Sequence, residues 1–524
     1  MNKDQVAAVL DEIGTLLELQ GENSFRCNTY HTAARTIAQL DVDLGELVAK
    51  EELGNVRGIG ESLQVKITTL VTTGTLPYYE ELKAKTPPGL LQMLRVQGMG
   101  PKKVKALYEQ LGVDDLKKLQ AACESGKVAE LKGFGAKTAQ KILEGLAFLS
   151  EVGDRLRIDQ ALTIASALLD GLRSAPGIIR MELCGSLRRR KEIIKDIDIL
   201  VSADDAGPVM DRFVGLPGVK SVIGKGETKS SVIVTDGRVT TNADLRVVND
   251  KQFPFALLYF TGNKEHNVRM RSRAQARGLK LNEYDLAGLD RRVVCRTEED
   301  IFRALDLDYI PPELREDTGE IDAAENHTLP KLLEGGDVYG VFHNHTVYSD
   351  GANTVEEMAR AAKALGLKYL GFGDHSPSLT VANGLSPDRV RKQQAEIDAL
   401  AKTLKGIHLF KGTEVDILAD GSLDYDDEVL ATFDYVVASV HSHFAMTRAD
   451  MTKRIVRAVR HPLVTMLGHA TGRLLLKRDG YDVDLEAVLQ AAAECGTMIE
   501  LLKKGSSGCV TCSNCCTRIS AMHC

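Results

Sequence analysis

The stretch Lys195-Asp-Ile-Asp-Ile-Leu-Val201 constrains this chain more than any other, because it sets two carboxylates into a run that is otherwise branched and apolar. Alternation along a strand puts Asp196 and Asp198 on one face. Idle carboxylates in an apolar strand are costly, so the pair calls for a use. Ahead of it stands Cys184-Gly-Ser-Leu-Arg-Arg-Arg190, and a third acid, Asp244, lies in a second strand-like run, Ala243-Asp-Leu-Arg-Val-Val248. Three carboxylates facing one point repel one another unless a divalent cation neutralises them, and an all-oxygen ligand set suits Mg2+ or Mn2+. Two such ions serve an in-line displacement, activating a hydroxyl nucleophile and stabilising a pyrophosphate leaving group. Gly185 and Ser186 offer close backbone approach and a hydroxyl to a triphosphate, with Arg189 as its charge partner.

The first 150 residues carry a different pattern, with apolar residues three and four apart and short Gly-containing breaks, which predicts helices. Three breaks are alike: Val56-Arg-Gly-Ile-Gly60, Val96-Gln-Gly-Met-Gly100 and Leu131-Lys-Gly-Phe-Gly135. Each opens a helix with basic residues, Lys66 in the first, Lys102, Lys103 and Lys105 in the second, Lys137 and Lys141 in the third. Paired glycines (Gly58 and Gly60, Gly98 and Gly100, Gly133 and Gly135) turn the backbone with its N–H groups outward, and the helix N-terminus adds positive potential. A single copy would be a plain helix-helix corner. Three copies with basic followers predict phosphate contacts that do not read base identity. Net charge is −7, so such a surface has to be local.

Beyond residue 336 a third pattern appears. Phe342-His-Asn-His345 precedes Asp350, and then come Asp374-His375, Glu414, His441-Ser-His443 and His469, each after a strand-like run. Six of the twelve histidines fall in these motifs. One histidine is usually structural, but imidazoles at this density with carboxylates suit two or three Zn2+ or Mn2+ ions that activate water for phosphoester hydrolysis.

These motifs resemble the family X DNA polymerases of bacteria. The pattern G-S-x-R-R, D-x-D and a later Asp resembles the family's nucleotidyltransferase palm, and Tyr259-Phe-Thr-Gly262, Asn267-Val-Arg-Met-Arg271 and Leu281-Asn-Glu-Tyr284 resemble its thumb. The resemblance implies that Asp196, Asp198 and Asp244 are catalytic and that Arg155, Gly185, Ser186, Arg189 and Gly262 serve the triphosphate. It also implies that Tyr259 and Phe260 pack beside the sugar, Asn267 reaches the base edge and Arg271 faces the nascent pair. The three glycine loops resemble helix-hairpin-helix motifs, with Lys102, Lys103 and Lys137 among the DNA contacts. Lys66 matches the lysine that forms a Schiff base with an abasic-site sugar; its other reading is a phosphate contact. The histidine motifs resemble a PHP domain, whose ligands would be His343, His345, Asp350, His375, Glu414, His441 and His469, with His443 a further candidate.

The expected fold is multi-domain, α+β and α/β. A helical lyase-like domain spans 1–85, fingers with two helix-hairpin-helix motifs 86–150, the palm 151–250 and the thumb 251–316. An acidic linker, 317–336, leads to an incomplete PHP β/α barrel at 337–500. Residues 501–524 form an aberrant tail in which Cys509, Cys512, Cys515, Cys516, His523 and Cys524 crowd together. C-x-x-C is a zinc-ligand spacing. A chain end translated out of frame accounts as well for the missing D-x-H ligand pair after Glu500, and on that reading 3′-5′ exonuclease activity is weakened. Cys27, Cys123, Cys184, Cys295 and Cys495 are expected as reduced, buried thiols. The start lacks the apolar core of a signal peptide and no run of about 20 apolar residues occurs, which points to a cytoplasmic protein without membrane contact. The expected activity is gap-filling DNA synthesis by a monomer, with gapped or primer-template DNA and deoxynucleoside triphosphates as partners. A DNA-binding scaffold with vestigial metal sites would not need the intact acidic triad. A mainly hydrolytic PHP phosphoesterase, for which the polymerase part only presents DNA, is set back by the missing D-x-H pair.

Overall fold

The computed structural model describes residues 1–501 and 515–517, apart from positions 2, 39, 41, 42, 57, 97, 154, 290 and 291. Two compact units meet in sequence at Leu329 and Pro330.

In the first unit, residues 1–150 are helical, without a strand among the described residues. Helices Lys3–Gln20 and Ser24–Ala38 pack Leu10, Ile13 and Leu17 against Cys27, Ala33 and Ile37, and helix Glu61–Thr73 adds Ile67 and Leu70. A second core joins Met93, Val104, Leu107, Leu119 and Ile142, and Leu19 of the first helix reaches into it.

The palm is a five-stranded sheet: β1 (Ile178–Leu183), β2 (Asp196–Ala203), β3 (Val219–Lys225), β4 (Lys229–Thr235) and β5 (Thr240–Val248), in the order β1-β2-β5-β4-β3. Only β2 and β5 run parallel, which aligns Asp196 with Asn242 and Asp198 with Asp244. Ile197, Ile199 and Val201 face helices Ile158–Leu172 and Gly207–Val214. Leu200 turns the other way, onto Phe253, Ala256 and Leu257 of helix Phe253–Thr261. That strand is therefore buried on both faces over most of its length, and the acids occupy the end where cover stops.

The first part of the stretch expected as an acidic linker is packed instead. Helix Glu320–Glu325 sends Ile321 and Ala324 into the thumb core beside Phe302 and Leu305. Its acids did not signal solvent, because they have cationic or hydrogen-bonding partners: Glu320 accepts from buried His266 at 2.7 Å, and Asp322 pairs with Arg269 at 2.9 Å. Glu298 is likewise buried between Arg188 (2.6 Å) and fully buried Arg315 (2.7 Å), and Arg315 lies over the rings of Phe302 and Tyr309. Burial alone would raise the Glu298 carboxyl, but the two guanidinium groups hold it below the usual range. Glu298→Ala strands both cations in low dielectric, which costs roughly 3–5 kcal/mol. Calorimetry is expected to show a clearly lowered transition; an unchanged one would contradict the network.

The second unit is built on parallel strands β6 (Gly340–Asn344), β7 (Tyr369–Phe372), β8 (Asp374–His375), β9 (His408–Phe410), β10 (Gly412–Asp416), β11 (Tyr435–Ser439), β12 (Met466–Leu467) and β13 (Met498–Leu501). Two sheets, β6-β7-β9 and β8-β10-β11-β12-β13, the second ending in a short strand Cys515–Thr517 antiparallel to β13, share the segments 369–375 and 408–416, broken at Gly373 and Lys411. The result is one wall of parallel segments in chain order, with helices such as Val355–Ala364 and Arg448–Val459 in the connections. It curls, since His343 at the end of β6 donates from Nδ1 to Glu500 of β13 at 2.8 Å. Cys27, Cys123, Cys184 and Cys295 are buried as expected, whereas Cys495 is exposed, because it ends helix Leu485–Cys495. The tail's sulfur and imidazole side chains lie outside the described residues.

Candidate active sites

The palm site grows from the β2–β5 pairing. Asp198 stands between Asp196 on its own strand and Asp244 across the register, and burial together with those two charges pushes its carboxyl up to about 6. Lys229 Nζ lies 2.6 Å from Asp244 Oδ2 and offsets part of this repulsion. Gly185 has φ +62, and a Cβ there would fall 2.3 Å from Asp198 Oδ2. Glycine is required twice over, for the left-handed backbone and for space beside the acid. A carboxylate raised by its own kind is the environment a divalent cation neutralises, so the residues fit such an ion.

The other expected nucleotide contacts fall into separate groups. Arg189 is 13% exposed and already engaged: Nε donates to Glu316 at 2.8 Å and Nη1 to the Thr261 carbonyl, while Lys191 shares Glu316 at 3.2 Å. Gly262 lies against it, since a Cβ there would meet Arg189 Nη1 at 3.2 Å. Ser186 is half-buried in the short helix Gly185–Arg188. Tyr259 and Phe260 meet edge to face at 5.2 Å, Arg246 lies over Phe260, and Asn267 donates to the Tyr259 carbonyl at 2.7 Å. Tyr259, Asn267 and Arg271 line one crevice with Leu281 and Asn282. Arg155 stands apart from Arg189, lining a cavity of about 570 Å³ with Arg95, Lys195, Arg238 and Asn242. Sequence reasoning missed this basic cavity, whose cations come from scattered positions.

The glycine loops differ in an informative way. Gly58 and Gly98 have φ of +87 and +81, whereas Gly60 and Gly100 are extended and cap helices Glu61–Thr73 and Pro101–Leu111 without any side-chain cap bond. No atom lies within 4 Å of a Cβ built on any of the four. A side chain at position 60 or 100 would therefore meet no atom of the chain, and the extended backbone there does not itself require glycine. In the third loop both Gly133 and Gly135 are left-handed, at +90 and +67, so it departs from the other two. Gly100→Ala is expected to change stability by less than about 1 kcal/mol yet weaken DNA binding at low salt several-fold, read by fluorescence anisotropy. Equal binding would remove that loop from the interface.

Lys66 sits between two aromatic rings, 6.0 Å from Tyr30 and 5.5 Å from Tyr78, and donates to Ser62 Oγ at 2.6 Å. Burial first, then the charge of Arg26, lower its ammonium from the usual range.

In the second unit the expected ligands converge on one carboxylate. Glu414, buried in β10, has its oxygens 2.8 Å from His469 Nε2, 2.9 Å from His375 Nδ1, 3.1 Å from His343 Nε2 and 3.2 Å from His441 Nε2, with His345 Nε2 at 3.6 Å. Asp350 lies 3.3 Å from His345 Nδ1 and 3.6 Å from His375 Nε2. Three groupings have one donor atom from each residue within 4.8 Å: His343, His345 and Glu414; His345, Asp350 and His375; His375, Glu414 and His441. Burial opposes charge on these rings, but carboxylate contacts overcome it at His375 and His441, each pushed up to about 9. Burial prevails at His345, brought down to about 3. The buried Nδ1 atoms of His345 and His375 have no hydrogen-bond partner despite facing carboxylates, which is the donor arrangement that cations would satisfy. His343, His443 and His469 have φ of +59, +55 and +25, left-handed values that concentrate at functional sites. His443 is exposed and belongs to none of the three groupings.

Two residues escaped the sequence reading. Asp416 accepts from His441 Nδ1, and Glu500 accepts from His343 Nδ1 and from the His469 backbone N–H at 3.1 Å. Such partners fix an imidazole's orientation and raise its basicity. Glu414-Val-Asp416 carried the one signal, an i, i+2 acid pair on a buried strand.

The first unit's fold and site define a divalent-cation nucleotidyltransferase with helix-hairpin-helix motifs, and the second carries a histidine-rich centre of phosphoesterase type. Family models match as DNA polymerase beta thumb over residues 256–316, helix-hairpin-helix domain over 1–76, SAM-like helix-hairpin-helix tandem over 90–147 and PHP domain over 342–502. The DNA polymerase/3′-5′ exonuclease PolX of Bacillus subtilis (strain 168) is 37% identical over 503 residues, 96% of this chain and 87% of that protein. The chain belongs to the family X DNA polymerases. DNA polymerase lambda of Rattus norvegicus is 25% identical over 295 residues, 51% of this chain and 48% of its own length. A probable phosphatase of Thermoanaerobacter sp. (strain X514) is 32% identical over 164 residues, 30% of this chain and 62% of its own. Both families generally use divalent metals. No helix among the described residues is long and apolar enough to cross a membrane.

Proposed function

We propose that this chain is a DNA-directed DNA polymerase that fills short gaps, with a PHP unit that hydrolyses phosphodiesters from 3′ ends. The observation that carries the polymerase reading is the parallel β2–β5 register, which sets Asp198 opposite Asp244 with Gly185 against them. Asp196, Asp198 and Asp244 hold divalent cations, Mg2+ or Mn2+, which when bound lower the charge barrier to attack and to pyrophosphate departure. Gly185 and Ser186 orient the triphosphate through backbone and hydroxyl. Arg189, held by Glu316, presents its remaining N–H groups to it. Arg155 serves the polyphosphate from the basic cavity, and Tyr259, Phe260, Asn267 and Arg271 form the wall beside sugar and base. The domain boundaries given above, with the thumb extended through helix Glu320–Glu325, are those of this reading. The test is extension of a primer across a short gap with Mg2+ and with Mn2+, which should depend on the acids and fall steeply with salt.

In the PHP unit His343, His345, Asp350, His375, Glu414, His441 and His469 hold Zn2+ or Mn2+, which when bound supply an activated water and a Lewis acid. Asp416 and Glu500 orient two of the imidazoles. A second reading attaches to Lys66, whose lowered ammonium suits a nucleophile toward an abasic-site sugar. Borohydride is expected to trap the chain on an abasic oligonucleotide, and Lys66→Ala to abolish trapping. Undiminished trapping in that variant would leave Lys66 as a phosphate contact.

A further inference from the structure

The Asp374-His375 motif holds a carboxylate that the metal-site reading does not use. Asp374 is 2% exposed and belongs to none of the three ligand groupings. Its two oxygens are taken up by five donors. Oδ1 accepts from the Thr346 N–H at 2.8 Å, from the Ser349 N–H at 3.2 Å and from the Ser349 hydroxyl. Oδ2 accepts from the Thr346 hydroxyl at 2.8 Å and from the side-chain amide of Gln393, a residue as deeply buried as Asp374 itself. A carboxylate offers about four lone-pair directions. None is left for a cation, so Asp374 is not a ligand in this arrangement.

The donors matter for what stands beside them. His345 precedes Thr346, Asp350 follows Ser349, and His375 follows Asp374. Those three neighbours are one of the groupings, with Asp350 3.3 Å from His345 Nδ1 and 3.6 Å from His375 Nε2. The chain between His345 and Asp350 makes a tight turn. Ser349 and Gly351 both donate from the backbone to the Thr346 carbonyl, at 3.1 and 2.9 Å, and a Cβ on Gly351 would fall 2.1 Å from the His345 carbonyl oxygen. The Thr346 hydroxyl accepts in turn from the Tyr348 N–H at 3.1 Å. Thr346 and Ser349 are buried, whereas the Asp350 side chain is 50% exposed, so the turn rather than surrounding packing sets its place.

We propose that Asp374 is a positioning residue of the PHP unit, which ties the 346–349 turn to the strand of His375 and so sets the spacing of His345, Asp350 and His375 around one cation. This role rests on the metal-centre reading of that unit. Gln393 supplies the fifth donor from helix Pro387–Thr403. A buried polar network of this kind is rigid while every member is satisfied and fails when one acceptor becomes a donor. In Asp374→Asn the new N–H₂ faces the Gln393 amide N–H₂ in one orientation and two backbone N–H groups in the other.

The test is Mn2+ binding to the full chain without DNA, counted by loss of the free-ion EPR signal, so that ions held by the palm are common to every variant. Asp374→Asn is expected to weaken one Mn2+ by about 10–100-fold and to leave the others as in wild type. The D374N/Q393E double variant puts a carboxylate on the other side of the same hydrogen bond and should recover most of that loss. Asp350→Ala should weaken the same ion, and adding Asp374→Asn to it should cost less than about threefold more, because both changes act on one site. His343→Ala tests the underlying reading: an unchanged Mn2+ count in that variant sinks the metal centre, whatever Asp374 does. Wild-type Mn2+ binding in Asp374→Asn, or losses that multiply in the double variant with Asp350→Ala, overturn the positioning role. An even weakening of every PHP ion that Gln393→Glu does not recover marks Asp374 as a fold residue and overturns it too.

Discussion

Asp198→Asn is expected to abolish nucleotide addition and, in metal-free buffer, to make the protein more stable. Both outcomes come from one feature of the palm. Asp198 is pushed up to about 6 by burial, by Asp196 and by Asp244, so its charged form is disfavoured in the folded chain relative to the unfolded one. For an acid raised in this way, folding loses stability as pH rises through about 6, and regains it on acidification. Holding the charged form in this site costs about 3 kcal/mol at most, and part of that is relieved by Lys229 at Asp244. A neutral asparagine removes the cost, so a gain of roughly 1–2 kcal/mol at pH 8 is expected in a chelator, shrinking at pH 5. Added Mg2+ should stabilise the wild type more than the variant. Catalysis moves the other way, since a site without this carboxylate holds its cations poorly, and a fall on the order of 10³-fold or more is expected. Primer extension and thermal unfolding with chelator or Mg2+ read the two effects. Retained extension would remove the triad from the chemistry, and lost stability would show that Asp198 is a fold residue.

The parts of this architecture that were legible in the sequence are those in which one element carries its own explanation. Asp196-Ile-Asp198 was readable because alternation separates a polar face from an apolar one within a single strand. The histidine motifs were readable because each ends a strand run, and the ends of parallel strands gather at one rim of a β/α wall. What escaped was set by partners far away in the chain. Acids from 317 on read as a linker, yet Glu320 and Asp322 meet His266 and Arg269, and their helix closes the thumb core. Arg189 read as a free triphosphate ligand, and no local pattern announces its attachment to Glu316 and the Thr261 carbonyl. Asp416 and Glu500 touch imidazoles rather than a reacting group, and in buried parallel strands every position is covered, so periodicity does not single them out. The three glycine loops looked equivalent by spacing, but the backbone angle at Gly135 separates the third.

Glu414→Gln is the change expected to do most damage in the second unit. Its carboxylate faces five imidazoles and its charge is held well below the usual carboxylate range by them, against the cost of burial. Glutamine keeps the shape and the position on β10 but contributes no charge and carries an amide N–H₂ that cannot ligate. Elemental analysis after dialysis is expected to show at least one cation fewer per chain than the wild type, and phosphodiester hydrolysis to fall about 100-fold or more. Asp416→Asn, which acts only through His441, should weaken metal binding by about 10–100-fold and leave residual turnover at saturating Mn2+. This ordering separates a ligand from its support, because saturating metal can compensate for a misoriented imidazole and not for a missing donor. Primer extension by both variants should stay within about twofold, since the palm and PHP units have separate hydrophobic cores. If Glu414→Gln retained its metal and its hydrolysis, the convergence of His343, His375, His441 and His469 on that carboxylate would be a buried ion-pair cluster supporting the barrel wall rather than a metal centre.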